Sequence, residues 1–230
     1  MILRGRSVVA GLALLLGACS GGGGGVEELQ PPPQGGAVAD TATARTIVLE
    51  QADMPAGWRG PAHTETPEER ARARQIAVCM GRPDPQDTRS AIVYGPDLSL
   101  ETTQVSSIAT VLKTTEDAQA DLAAIRGPKY GECVMAAFKE DIQRQVPEAT
   151  VQDTATEPLP VEAFGDASVG VRLTANLVYP DRTDKLFADL VYITKDRSTV
   201  SVTFFSFNQP FPPTLEQSLI SRVGHRIATA

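Results

Sequence analysis

Nucleophilic catalysis needs a Ser, Cys or Thr activated by a neighbouring base. The sequence contains no Gly-x-Ser-x-Gly, Ser-x-x-Lys or Cys–His signature of that arrangement. Of the two histidines, His63 lies in the polar stretch 61–70 and reads as an exposed loop residue. His225 falls near the end of the last expected helix, two residues off its apolar stripe, where a cation suits the helix dipole. Glu68/Glu69 and Glu140/Asp141 are adjacent acids that point apart on a helix, so they read as exposed charges rather than acid–base pairs. Asp181 and Asp184 bracket an expected hairpin turn rather than a calcium loop. There is no phosphate-binding or dinucleotide glycine motif and no Cys-x-x-Cys. Two histidines are too few to suggest zinc. The expectation is a protein without catalytic activity, cofactor or metal.

Cys19 carries the clearest chemistry. Arg4 and Arg6 are the only charges before it, and an apolar run, Val8 to Leu16, precedes Gly17 and Ala18. A basic start, a short apolar stretch and small residues form a secretory signal; the run is under half of the ~20 residues a membrane span needs. Leu16-Gly17-Ala18-Cys19 resembles the bacterial lipobox, in which the thiol receives diacylglycerol before a lipoprotein signal peptidase cuts ahead of it. The competing reading is an ordinary signal peptide that happens to end near a cysteine. The division expected is a signal over 1–18, a lipidated Cys19 with a Gly/Pro-rich disordered tether over 19–44, and one domain over 45–230. The tether contains GGGGG and QPPPQ and hardly a large apolar side chain, so it cannot offset its own ordering entropy. Lipid acylation places the chain on the cell membrane, on its extracytoplasmic side. There the two remaining thiols, Cys79 and Cys133, form an even pair that reads as a disulfide. The formal charge of −7 falls by two, to −9, when the arginines of the signal leave, which argues against nucleic acid as a partner.

These residues need a scaffold. Thr66-Pro67-Glu68-Glu69 is a capping box with proline at the first helical position. The helix it opens carries Ala73, Ile76, Ala77 and Met80 on one side and Cys79 in its last turn. Strands are expected over 90–100 and 103–112. A helix capped by Thr114 or Thr115 carries Ala118, Leu122 and Ile125, and another runs over 131–145 with Cys133 near its start. Residues 154–164 read as a loop. From Val169 to Tyr179 apolar and polar residues alternate, as in a strand with one wet face. Residues 185–195 are apolar on both faces apart from Asp189 and should be central; 199–207 follow, and a helix holding Leu215, Leu219, Val223 and Ile227 in register ends the chain. The order implies an α+β fold: an antiparallel sheet of about five strands packed against helices, with one disulfide.

A cysteine closing the first helix, strands leading into SSIATVLKTTEDAQADL, Tyr130-Gly131-Glu132-Cys133, a three-strand meander and a final amphipathic helix resemble a known family. It is the extracellular sensor domain of actinobacterial membrane serine/threonine kinases of the PknH type, together with secreted lipoproteins that share it. That domain carries two disulfides, and only Cys79 and Cys133 are available here. The resemblance implies ligand sensing outside the membrane and transfers no binding residue.

The remaining candidates are surfaces. Arg172, Thr174 and Asn176 share the wet side of their strand, with Asp189 nearby; they read either as polar contacts in a ligand cleft or as a solvated face with an Arg–Asp pair. Arg172 and Asn176 are the candidate ligand-binding residues. Phe205, Phe207 and Phe211 line a groove unless helices cover them. The reading is a lipid-anchored extracytoplasmic ligand-binding or sensor-like module without catalytic activity. Its alternative is a structural or accessory envelope lipoprotein that docks a partner protein; a concave pocket favours the first and a flat apolar patch the second.

Overall fold

A computed structural model describes residues 34–230. The expected signal over 1–18, Cys19 and the first part of the expected tether lie outside the described residues. Seven strands form one antiparallel sheet: β1 (Arg89–Tyr94), β2 (Leu98–Leu100), β3 (Thr103–Leu112), β4 (Thr150–Leu159), β5 (Ala167–Val178), β6 (Thr183–Lys195) and β7 (Ser198–Phe207). They are arranged β1-β3-β7-β6-β5-β4, with β2 also paired to β3. The expected count of about five was low for two reasons. Gly95-Pro96-Asp97 divides the 90–100 stretch into β1 and β2, because proline has no N–H to give a ladder. The 154–164 stretch is not all loop either: its first part belongs to β4, an edge strand whose exposed polar residues carry no alternation signal. β4 pairs with β5 around a bulge between Gln152 and Ala155, where Asp153 takes φ 46°, and Pro158 is tolerated at an edge.

Among the described residues six helices accompany the sheet: α1 (Gln34–Ile47), α2 (Pro67–Cys79), a one-turn α3 (Pro85–Thr88), α4 (Thr115–Arg126), α5 (Lys129–Gln145) and α6 (Pro213–Thr229); α2 packs on α5 rather than on the strands. β6 explains the division of the core. Val191 and Ile193 join Val105, Val202, Phe204, Leu219 and Val223 in the core that includes α1 and α6. Ala188 and Leu190 join Tyr130, Met135, Val171 and Leu173 on the side of α5. A strand covered on both faces has no wet side, which is why 185–195 is apolar throughout and central, as its sequence indicates.

The tether expectation needs correction at its end. Residues 34–44 belong to α1, whose Ala44 and Ile47 are fully buried. Asp40 accepts hydrogen bonds from Ser90 at 2.6 Å and Arg197 at 2.8 Å. Those partners are distant in sequence, so local composition could not reveal the docking.

α2 has its capping box: the Thr66 hydroxyl accepts from the Glu69 N–H at 3.2 Å, and Glu69 accepts from the Thr66 N–H at 2.7 Å. Of its stripe, only Ala77 is buried. The helix is held to α5 by the Cys79–Cys133 disulfide, with Cα atoms 5.8 Å apart, by Arg72 on Asp141 at 2.5 Å and by Gln75 on Glu140 at 2.9 Å. Asp141 is therefore a buried ion-pair acid rather than an exposed one.

Candidate functional site

Strand register builds a hollow on the α4 side of the sheet. Pairing of β3 with β7 sets Thr110 opposite Thr199 and Ile108 opposite Ser201. Pairing of β7 with β6 sets Thr199 opposite Thr194 and Ser201 opposite Tyr192. Cross-strand partners point to the same face, with strands ~4.8 Å apart. The result is one row, Thr110–Thr199–Thr194, beside a second, Ile108–Ser201–Tyr192. Asp121, Leu122 and Ile125 of α4 close over them, leaving a cavity of about 160 Å³. An apolar cavity of ~150 Å³ admits benzene, so this one has room for a single six-membered ring.

The lining is rich in hydroxyls with spare capacity. Thr194 donates to the Ala167 carbonyl at 3.4 Å and Thr199 to the Thr110 carbonyl at 3.5 Å, both long for O–H donors. Among the described residues, no protein group hydrogen-bonds the side chains of Thr110 or Ser201. The Tyr192 hydroxyl is joined to that of Tyr130. Burial pushes the Asp121 carboxyl above its ordinary range; Arg82, whose Nε and terminal nitrogen lie 3.0 and 2.9 Å away, opposes that shift without overcoming it.

Arg172 and Asn176 lie elsewhere. Alternation along β5 and β6 puts them, with Asp189, on the face opposite Tyr192 and Thr194. Nε of Arg172 donates to Asp189 Oδ1 and a terminal nitrogen to Oδ2, each at 2.6 Å. Asp189 is 1% exposed. Asn176 donates to Asp153, in the β4 bulge, at 2.9 Å. Both side chains thus have partners within the protein, and neither lines the cavity. The sequence reading did not single out Glu216, in the first turns of α6. It is buried, and burial together with the adjacent Asp189 pushes its pKa up to about 7 against the pull of Arg172. Its Oε1 has no protein partner. A raised buried acid suits proton chemistry only where substrate reaches it, and the cavity under α4 does not.

His63 is not an exposed loop residue. Its ring stacks on Tyr94 with centroids 4.6 Å apart, Nδ1 lies 2.8 Å from Asp97 and Nε2 lies 3.4 Å from Glu69. The side chain ties the start of α2 to the β1–β2 connection. His225 sits edge-on to Phe164 at 5.6 Å. Phe211 is buried against Phe204 and Trp58, and Phe205 packs against the core beneath α5, so helices and neighbouring rings cover most of the expected phenylalanine groove. A second hollow, about 300 Å³, lies between α2 and α5, where Arg72 and Arg144 both pair with Asp141. Among the described residues no three His, Cys, Asp or Glu side chains cluster as metal ligands, and no helix is long and apolar enough to cross a membrane.

The threonine row was legible in principle: Thr110, Thr194 and Thr199 all occupy strand positions. What the sequence lacked was register, which alone brings three hydroxyls from three strands into line.

No protein-family model matches the chain, and no curated protein matches its sequence. Among solved structures, the chain is similar to the extracellular domain of PknH from Mycobacterium tuberculosis, with TM-score 0.41 and 8% identity over 83% of this chain and 97% of that one. It is also similar to LpqN, involved in cell envelope biogenesis of the same organism, with TM-score 0.29 and 8% identity over 80% of this chain and 87% of that one. A third, the Pseudomonas aeruginosa protein PA94, shows TM-score 0.26 and 16% identity over 60% and 85% of the two chains. These likenesses are loose and carry no residue role across.

Proposed function

We propose that the chain is a lipid-anchored, extracytoplasmic binding module that takes a small ligand between its sheet and α4 and performs no chemistry on it. The observation that supports this is the cavity itself: a concave space of about 160 Å³, lined by hydroxyls from three strands that the fold does not fully use. A protein-docking role draws less support. The large apolar side chains exposed among the described residues are Val38, Val78 and Leu100, which lie on α1, α2 and β2 and do not form one patch. The extracytoplasmic setting is supported by the disulfide and by the signal-like start, and the anchor by Leu16-Gly17-Ala18-Cys19.

The test is a thermal-shift screen of the full chain against envelope head groups, glycans and cell-wall fragments, because a ligand of the folded state raises its melting temperature. The rise is expected to disappear in Ile125→Trp, which plugs the cavity. A screen without a hit, or hits that survive the plug, would overturn the reading. Mass spectrometry of protein from its native host tests the anchor: the mature N-terminus is expected to be Cys19 bearing fatty acid, and an unacylated N-terminus contradicts it.

A further inference from the structure

We infer that the cavity under α4 accepts a neutral, hydroxyl-bearing six-membered ring, such as one glycosyl or inositol unit. This rests on the binding reading above and adds the chemical class. The volume matches the ring itself, and the hollow is open on one side, so ring substituents extend toward its mouth. The lining decides its chemistry. No lysine or arginine contributes to the wall, and Asp121 is its one carboxylate. An anion would lose its hydration with no opposite charge to replace it. A cationic ring gains little, because Asp121 is already held by Arg82.

An apolar ring fits by size but not by polarity. It would remove water from Thr110, Thr194, Thr199 and Ser201 and return no hydrogen bond, and each polar group left unpaired carries a penalty. Ring hydroxyls resolve that problem, since each is both donor and acceptor and so are the threonine and serine groups facing it. Strand spacing of ~4.8 Å sets neighbouring hydroxyls of the row wide enough to bracket one ring substituent between them. Ile108, Leu122 and Ile125 offer apolar contact to the C–H surface of the same ring. The Asp121 carboxylate stands at the wall as a further acceptor for a ring O–H.

The experiment measures dissociation constants of the full chain for four probes: methyl β-glucoside, myo-inositol, glucose 6-phosphate and toluene. One or both neutral polyols are expected to bind, and whichever binds identifies the source. The phosphate ester and toluene should bind at least about tenfold more weakly. The pair Thr199→Val and Ser201→Ala, which keeps shape and removes two hydroxyls, should weaken polyol binding about tenfold or more. Asn176→Ala, on the opposite face, should change nothing. Tighter binding of the phosphate or of toluene, still abolished by Ile125→Trp, overturns the ligand class and leaves the binding reading intact. Failure of all four probes, or binding indifferent to Ile125→Trp, overturns both. Should the plugged variant not fold, the Thr199→Val/Ser201→Ala pair decides: polyol affinity unchanged in it overturns the inference.

Discussion

Arg172 and Asp189 stand directly opposite each other on β5 and β6, joined by two hydrogen bonds of 2.6 Å, and the carboxyl of Glu216 borders Asp189 from α6. Burial, then Asp189, raises Glu216 from 4.5 to about 7. A carboxyl whose folded pKa lies above its unfolded value holds its proton more tightly when folded. Its stabilising contribution is therefore complete below the unfolded value and is lost as pH rises through about 7. The whole loss is on the order of 3 kcal/mol. Glu216→Gln is expected to flatten the stability profile between about pH 5 and pH 8 and to be the more stable protein at the upper end. Urea unfolding at stepped pH reads this directly. A wild-type midpoint that climbs across that window would contradict it.

Removing Arg172 leaves the Asp189 carboxylate buried without its cation. Breaking a buried pair by one partner costs about 3 kcal/mol or somewhat more. Arg172→Ala should show that loss, whereas Asn176→Ala, whose partner Asp153 is exposed, should stay within about 0.5 kcal/mol of wild type. Equal effects from the two substitutions would show that the Arg172–Asp189 pair is not distinctive.

The Cys79–Cys133 bridge spans 54 residues. In the chain-entropy account a loop of that size is worth about 4 kcal/mol. Because α2 buries Ala77 alone, its loss should be local as well as global. After reduction, hydrogen exchange is expected to reach α2 amides first, while β6 and β7 stay protected. Simultaneous loss of protection in the helix and the central strands would contradict this.

α1 belongs to the domain. Ile47 is fully buried, and Arg197 with Ser90 holds Asp40 below the ordinary carboxylate range. Ile47→Ala should cost about 2–5 kcal/mol, and Asp40→Ala about 1 kcal/mol, both by denaturant unfolding. If Ile47→Ala proves neutral, the helix is not part of the core.

The sequence made most of the architecture legible where physical signals are local. The Thr66–Glu69 capping box, the alternation along β5 and the two-faced apolarity of β6 each have one dominant cause. The two remaining cysteines admitted one intramolecular pairing. Legibility failed where the cause is distant. β4 is polar and is held by its backbone pairing to β5, α1 is held by Arg197, and His63 is half-buried against Tyr94 and Asp97, some thirty residues along the chain. The cavity was illegible for the same reason. Arg172 drew attention because charged residues stand out on a strand, yet its charge is met by Asp189. The row Thr110–Thr199–Thr194 exists only through the registers of β3, β7 and β6, and no single segment carries it.

Methyl-resolved NMR of the full chain, titrated with myo-inositol and with methyl β-glucoside, tests the binding site most directly. The account predicts that the methyl signals of Ile108, Leu122 and Ile125 shift in a saturable manner while that of Val202, in the opposite core, does not. Perturbations confined to the Arg172 and Asn176 face, or none at saturating probe, would contradict it.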